Sequence, residues 1–182
     1  MKKGFKKFIC IISAMLLLVP LAACGSKDIA ADSQFPAFKA EDFSGNNYTE
    51  KVFGESDATV INFWYTGCQS CITEMPDLEK TAKKLAEKNV KFLGICTDAG
   101  EEGVDKEVRK ILKTSKVTFP TLKIKEGEKM NELVKSINSF PTTVVVDKKG
   151  KIVGDPILGA INDAKQEKEI NERIEKAKSR NK

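Results

Sequence analysis

Apolar residues recur along this chain with two different periods. Residues 58–65 (Ala-Thr-Val-Ile-Asn-Phe-Trp-Tyr) form a short continuous apolar run rich in β-branched and aromatic side chains. Such a run predicts a strand buried on both faces. Thr66-Gly67 breaks it. From Cys68 or Gln69 to about Lys88, the apolar positions Ile72, Met75, Leu78, Ala82, Leu85 and Ala86 recur at three- and four-residue spacing, which predicts an amphipathic helix. Pro76 lies inside it, removes a backbone donor and should kink it. Residues 90–97 predict a second buried strand. Residues 101–116 predict a charged helix with Val104, Val108, Ile111 and Leu112 on one face. A short strand at 121–125 and a short helix at 129–137 follow. Residues 142–147, the turn Lys148-Lys149-Gly150 and residues 151–154 read as a β-hairpin. A closing helix spans about 162–178, with Ile170 and Ile174 inward. Ahead of all these, residues 35–42 and 46–51, around Ser44-Gly45-Asn46-Asn47, predict an N-terminal hairpin. Strands alternating with helices and closed by an antiparallel hairpin predict an α/β domain built on a mixed sheet with flanking helices. No internal repeat or low-complexity stretch interrupts the pattern.

The first residues follow other rules. Residues 1–7 are basic, and 8–19 are almost wholly apolar, the length of a signal-peptide core and short for a spanning helix. Leu21-Ala22-Ala23-Cys24 resembles the bacterial lipoprotein box, which implies cleavage before Cys24 and a diacylglycerol on its sulfur. Two acyl chains anchor stably where one does not. The competing reading is an uncleaved membrane helix. Cys10 lies in the apolar core and would leave with the signal. Residues 25–34 are small and polar and read as a tether. The expected organisation is a signal peptide at 1–23, a lipidated cysteine and tether at 24–34, and one domain at 35–182, on the extracytoplasmic face of the bacterial cell membrane.

Composition narrows the chemistry. Of 182 residues, 41% are hydrophobic, enough for a core. The net charge of +5 includes four lysines within the first seven residues, so the folded part is nearly neutral and offers no electrostatic case for nucleic acid. With no histidine, Ser-His-Asp and Cys-His nucleophilic sites, histidine-ligated zinc and a Cys-x-x-Cys-His haem attachment are excluded. The five cysteines, Cys10, Cys24, Cys68, Cys71 and Cys96, do not form an even disulfide framework.

Cys68-Gln69-Ser70-Cys71 falls where a buried strand meets a helix. Cys68 at or beside the helix N-terminus would have its thiolate stabilised by unpaired N–H groups and the helix dipole. Cys71, one turn on, could attack a mixed disulfide from within. Cys68 therefore reads as the exposed nucleophile and Cys71 as the more buried resolving thiol. A structural zinc site would need four ligands, and only Cys96 remains to join the pair. Cys96 reads most simply as a buried core thiol, and alternatively as a third redox or regulatory thiol.

The segment Asn62-Phe63-Trp64-Tyr65-Thr66-Gly67-Cys68-Gln69-Ser70-Cys71-Ile72-Thr73-Glu74-Met75-Pro76 resembles the active-site segment of TlpA/ResA-type thiol–disulfide oxidoreductases, an extracytoplasmic branch of the thioredoxin superfamily. Phe140-Pro141-Thr142-Thr143 resembles that family's cis-proline loop, and Phe35-Pro36-Ala37-Phe38 its N-terminal hairpin. The likeness spans about residues 35–178 and implies a thioredoxin-like fold. It implies the cis bond at Pro141 rather than at Pro120, which also stands in Phe-Pro-Thr. Two positions depart from the family: Gly67 where it usually carries Trp, and Asn62 where cytoplasmic thioredoxins keep a buried Asp. The resemblance points instead to Glu74 as the proton-exchanging acid, the alternative being a solvated acid on the helix face.

The resemblance implies a reductase of protein disulfides that needs no cofactor. Its partners would be disulfide-bearing client proteins and, as electron donor, a membrane thiol transporter of the CcdA/DsbD kind. Three other readings stand beside it. A disulfide-forming oxidase of the DsbA kind usually has a histidine between its cysteines. A thiol peroxidase would place Thr three residues before its reactive cysteine, where this chain has Tyr65. A solute-binding lipoprotein would leave the cysteine pair unexplained.

Overall fold

Strand β3 (Ala58–Trp64) is buried at every position and organises the molecule. It pairs in parallel with β4 (Val90–Cys96), from Ala58↔Val90 to Trp64↔Cys96, and antiparallel with β6 (Thr142–Asp147), from Ala58↔Asp147 to Phe63↔Thr142. With neighbours on both sides and both faces covered, its backbone is satisfied by the ladders and its side chains are apolar except at Thr59 and Asn62. The computed structural model describes residues 29–181. Its other strands are β1 (Lys39–Asp42), β2 (Asn47–Thr49), β5 (Thr121–Glu126) and β7 (Ile157–Leu158), and the seven form one mixed sheet in the order β2-β1-β5-β4-β3-β6-β7. The helices are α1 (Gln69–Ala86), α2 (Val104–Thr114), α3 (Glu128–Ser136) and α4 (Ala164–Ser179).

Alternation along β3 divides the core. Ile61 and Phe63 join Leu93, Ile95, Val144 and Val146 under Met130 of α3 and the rings of Phe35, Phe38 and Phe53. Val60 faces the other way, with Phe92 and Val145, beneath Leu78, Ala82 and Leu85 of α1 and Ile170, Ile174 and Ala177 of α4. Trp64 ends the strand in a third cluster with Cys68, Cys71, Met75, Cys96 and, from α2, Val108 and Ile111. Among the described residues no helix is long and apolar enough to cross a membrane.

The mixed sheet, the flanking helices and the N-terminal hairpin take the predicted order, and the structure differs in four places. The tether expected up to residue 34 is docked from Ile29 onward. Ile29 is buried, Asp32 N–H donates to Ile152 O at 2.9 Å, Ile152 N–H donates to Ser33 O at 2.9 Å, and Phe35 N–H donates to Gly150 O at 2.8 Å. A polar stretch can dock in this way because its backbone, rather than its side chains, supplies the bonds. Strand β1 accordingly begins at Lys39 rather than at 35, and a 3-10 turn (Glu50–Glu55) occupies the end of the expected second strand, where Val52 and Phe53 bury side by side. The hairpin return at 151–154 makes only isolated bridges; Gly154, at φ +76°, turns the chain away, and the strand that completes the ladder is β7. Helix α1 includes Pro76 as expected, on its exposed side. Cys10, Cys24 and the expected signal lie outside the described residues.

Candidate active site

The turn between β3 and α1 sits at the carboxyl end of β3. Cys68 N–H donates to Tyr65 O at 3.1 Å, and Thr66 donates both its N–H (3.0 Å) and its hydroxyl (2.5 Å) to the Asp98 carboxylate, which projects from just beyond β4. Cys68 is thereby set as the N-cap of α1. Its sulfur accepts the Cys71 N–H at 3.2 Å and lies 3.4 Å from the Ser70 hydroxyl. No acidic residue stands in the first turn of the helix. The positive end of an eighteen-residue helix dipole and a backbone donor therefore converge on one sulfur, an arrangement that stabilises a thiolate.

Cys68 and Cys71 form a disulfide, their Cα atoms 5.3 Å apart. Both are buried, Cys68 at 6% exposure and Cys71 at 1%. The expected exposed nucleophile is thus only the more accessible of two covered sulfurs, because Trp64, Met75 and the half-buried Phe140 pack around the pair.

Glu74 follows Cys71 by one turn on the same helix and is buried at 2% exposure, not solvated. One carboxylate oxygen accepts the Ile161 N–H at 2.8 Å and the other the Asn62 amide at 3.2 Å; the same Asn62 amide donates to Thr143 Oγ1 at 3.1 Å. Burial pushes the Glu74 carboxyl up to about 7, the two hydrogen bonds offsetting part of that rise. The acid is thus poised to exchange a proton near neutral pH. Asn62 contributes a donor to it rather than a second ionisable group.

Phe140–Pro141 is the cis peptide bond among the described residues, at the start of β6. Phe140 packs against the cluster that contains both cysteines, which brings this loop beside the disulfide. Its ring meets Tyr65 edge-on, with centroids 5.1 Å apart. A Cβ at Gly67 would come within 2.9 Å of Tyr65 Cε2, so the Tyr65 ring lies over residue 67 and a side chain there would have to push the ring aside. Cys96 is a buried free thiol that donates to Asp98 Oδ1 at 3.0 Å, and burial first, then that bond, pushes it far above the ordinary thiol range. It is protonated and packed, at 2% exposure.

Cys68, Cys71, Glu74 and the Pro141 loop are thus gathered at one end of the sheet. Sequence reasoning missed Asp98, Ile161 and Thr143. Asp98 carried a usable signal, a polar residue just past the carboxyl end of a central strand. Ile161 acts through its backbone N–H, and no side-chain pattern reveals that.

Three comparisons with known proteins bear on this site. Residues 31–154 match the family model described as AhpC/TSA family. The thioredoxin-like protein YneN of Bacillus subtilis is 30% identical over 143 residues, covering 79% of this chain and 80% of its own. The thiol-disulfide oxidoreductase ResA of Bacillus thuringiensis subsp. konkukian is 31% identical over 120 residues, 65% of this chain and 64% of its own. The solved thioredoxin domain of a thiol-disulfide oxidoreductase from Bacteroides vulgatus superposes with a TM-score of 0.64 at 24% identity, covering 80% of this chain and 98% of that one, and shows the shared fold.

Proposed function

The chain belongs to the AhpC/TSA family and is a thiol–disulfide oxidoreductase of the thioredoxin superfamily; from that premise we propose that it works as a reductase of protein disulfides, held on the extracytoplasmic face of the cell membrane by acylated Cys24. The observation that carries the reading is the Cys68–Cys71 disulfide at the N-terminus of α1 with a buried acid, Glu74, one turn behind it.

In the reduced protein, Cys68 is the thiolate. It attacks one sulfur of a client disulfide, forms a mixed disulfide and expels the other client sulfur as a thiolate, which takes a proton. Cys71 gives its proton to the Glu74 carboxylate and attacks Cys68 Sγ. This closes the Cys68–Cys71 bond and releases the second client thiol, which is protonated in turn. Two electrons pass from the enzyme dithiol to the client. The closed disulfide is the form described above, and a membrane thiol transporter of the CcdA/DsbD kind returns it to the dithiol. An imported electron source is needed because extracytoplasmic space is oxidising. Gln69-Ser70, without a histidine, favours the reducing direction over a DsbA-like one. The basic leader, apolar core and Cys24 box support the anchor.

Equilibration with dithiol redox buffers, followed by thiol counting, tests the direction. A potential close to the thioredoxin value of about −270 mV, with reduction of insulin, is expected; a value near −120 mV makes the protein an oxidant. Cys71→Ala should trap clients as mixed disulfides and Cys68→Ala should not; equal trapping by both overturns the assigned roles. Peroxide consumption faster than disulfide reduction would instead favour a peroxidase.

A further inference from the structure

Glu74 is held from two directions, and both lead to one short segment after β6. Ile161 N–H donates to one carboxylate oxygen at 2.8 Å. Two residues earlier, Gly159 N–H donates to Pro141 O at 2.9 Å. The other carboxylate oxygen takes the Asn62 amide, which is shared with Thr143 Oγ1, and Thr143 is the cross-strand partner of Ile157 in β7. The Ile161 side chain is buried in the cluster beneath α1 and α4, so its amide is not free to follow Glu74 by itself. Gly159 lies at φ +85°, where a residue with a Cβ is strained, yet a Cβ there would meet only an ordinary contact, Gln166 Nε2 at 3.9 Å. The backbone path that carries both donors, and not crowding, therefore calls for glycine at this position.

We propose that Gly159-Ala160-Ile161 is a positioning element that couples the backbone at Pro141 to Glu74, with Ile161 acting on the acid through its N–H. The inference rests on the proton exchange assigned above to Glu74 and adds what sets it. An N–H donor favours the carboxylate over the carboxylic acid, so the segment holds the proton affinity of Glu74 down against its burial. A displacement that lengthens the Ile161 bond makes Glu74 a stronger base, at the step where Cys71 must lose its proton. The coupling is a free energy and runs both ways, so ionising Glu74 tightens the segment in turn. β3 and β6 present the neutral Asn62 and Thr143 to the carboxylate, and α1 presents Cys71 one turn back. The charged groups that edge a depression with Ile161 are Asp77, Lys80, Lys84, Lys88, Asp163 and Glu167, three of each sign, so they add little net field.

The test uses the full-length oxidised protein in detergent, in which Cys71 carries no proton. Backbone amide shifts are followed by NMR across neutral pH in wild type, Gly159→Ala and Gly45→Ala. Gly45, at φ +93° with open space around a Cβ, takes the same kind of backbone strain in the N-terminal hairpin, outside the segment. In wild type the Ile161 and Gly159 amides should titrate together with a midpoint near 7. Gly159→Ala should move that midpoint up by about half a pH unit, part of what losing a charge-assisted bond outright would do. Gly45→Ala should leave it in place, and Glu74→Gln should abolish both titrations. The wild-type titration decides even if Gly159→Ala does not fold. Titration of Ile161 with Gly159 static, an unmoved midpoint in Gly159→Ala, or an equal rise in Gly45→Ala overturns the coupling. Absence of any titration near 7 that Glu74→Gln removes overturns Glu74 as the acid, a separate result.

Discussion

A carboxyl group that ionises near 7 leaves a thermodynamic trace. In the unfolded chain Glu74 loses its proton near 4.5, and in the folded one near 7. Between those values the folded protein holds a proton that the unfolded chain has released, so stability falls as pH rises through the window and levels off above it. At about 1.4 kcal/mol per pH unit, the whole window is worth about 3 kcal/mol. Glu74→Gln should abolish this slope in urea unfolding between pH 5 and 8 and be more stable than wild type above pH 7. Gln Oε1 can still accept the Ile161 N–H, and Asn62 can turn its amide to meet the new donor. Thiol–disulfide exchange turnover should nevertheless fall, and its pH profile should lose an ionisation near 7; an unchanged rate and profile would move the proton route elsewhere. The family resemblance pointed to Glu74, but the sequence could not tell a buried acid from a solvated one. Its partners come from elsewhere in the chain: the Ile161 N–H, 87 residues away, and the Asn62 amide, which also donates to Thr143. Glu79 escaped notice for the same reason: its partners, Thr118 and Phe119, lie about forty residues on.

Elements with a strong internal period were readable, and those held by long-range backbone bonds were not. Strand β3 and helix α1 announce themselves by a continuous apolar run and a three-and-four repeat, and both appear within two residues of expectation. The segment from Ile29 to Phe38 has no period, because it is neither helix nor regular strand. Its place is fixed by bonds to Gly150 and Ile152 and by the buried side chains of Ile29, Phe35 and Phe38. Phe35, at 1% exposure, meets Phe38, Phe53 and Phe63 with centroids 6.1, 5.3 and 6.4 Å away. Phe35→Ala should therefore cost about 3–5 kcal/mol in urea unfolding, with the dependence on denaturant unchanged. A loss below about 1 kcal/mol would mean that the segment is an appendage rather than part of the fold.

The molecule as a whole was legible as a class because its helices, strands and active-site motif all agree on one architecture. Its attachment is a question for the cell rather than for the fold. Cys24→Ala should release the protein into the medium or leave an uncleaved precursor, by fractionation and mass; a mutant still processed and membrane-bound would overturn the anchor. The docked segment also bears on what the proposed anchor at Cys24 would do. With the chain held from Ile29, five peptide links separate it from Cys24, a leash of at most about 18 Å. With the proposed anchor in place, such a domain would search a thin layer over the bilayer rather than a volume. Encounters with a membrane-embedded electron donor would then become a two-dimensional problem, and clients would have to arrive at the surface to be served. Lengthening the leash would trade frequent donor visits for a wider catchment.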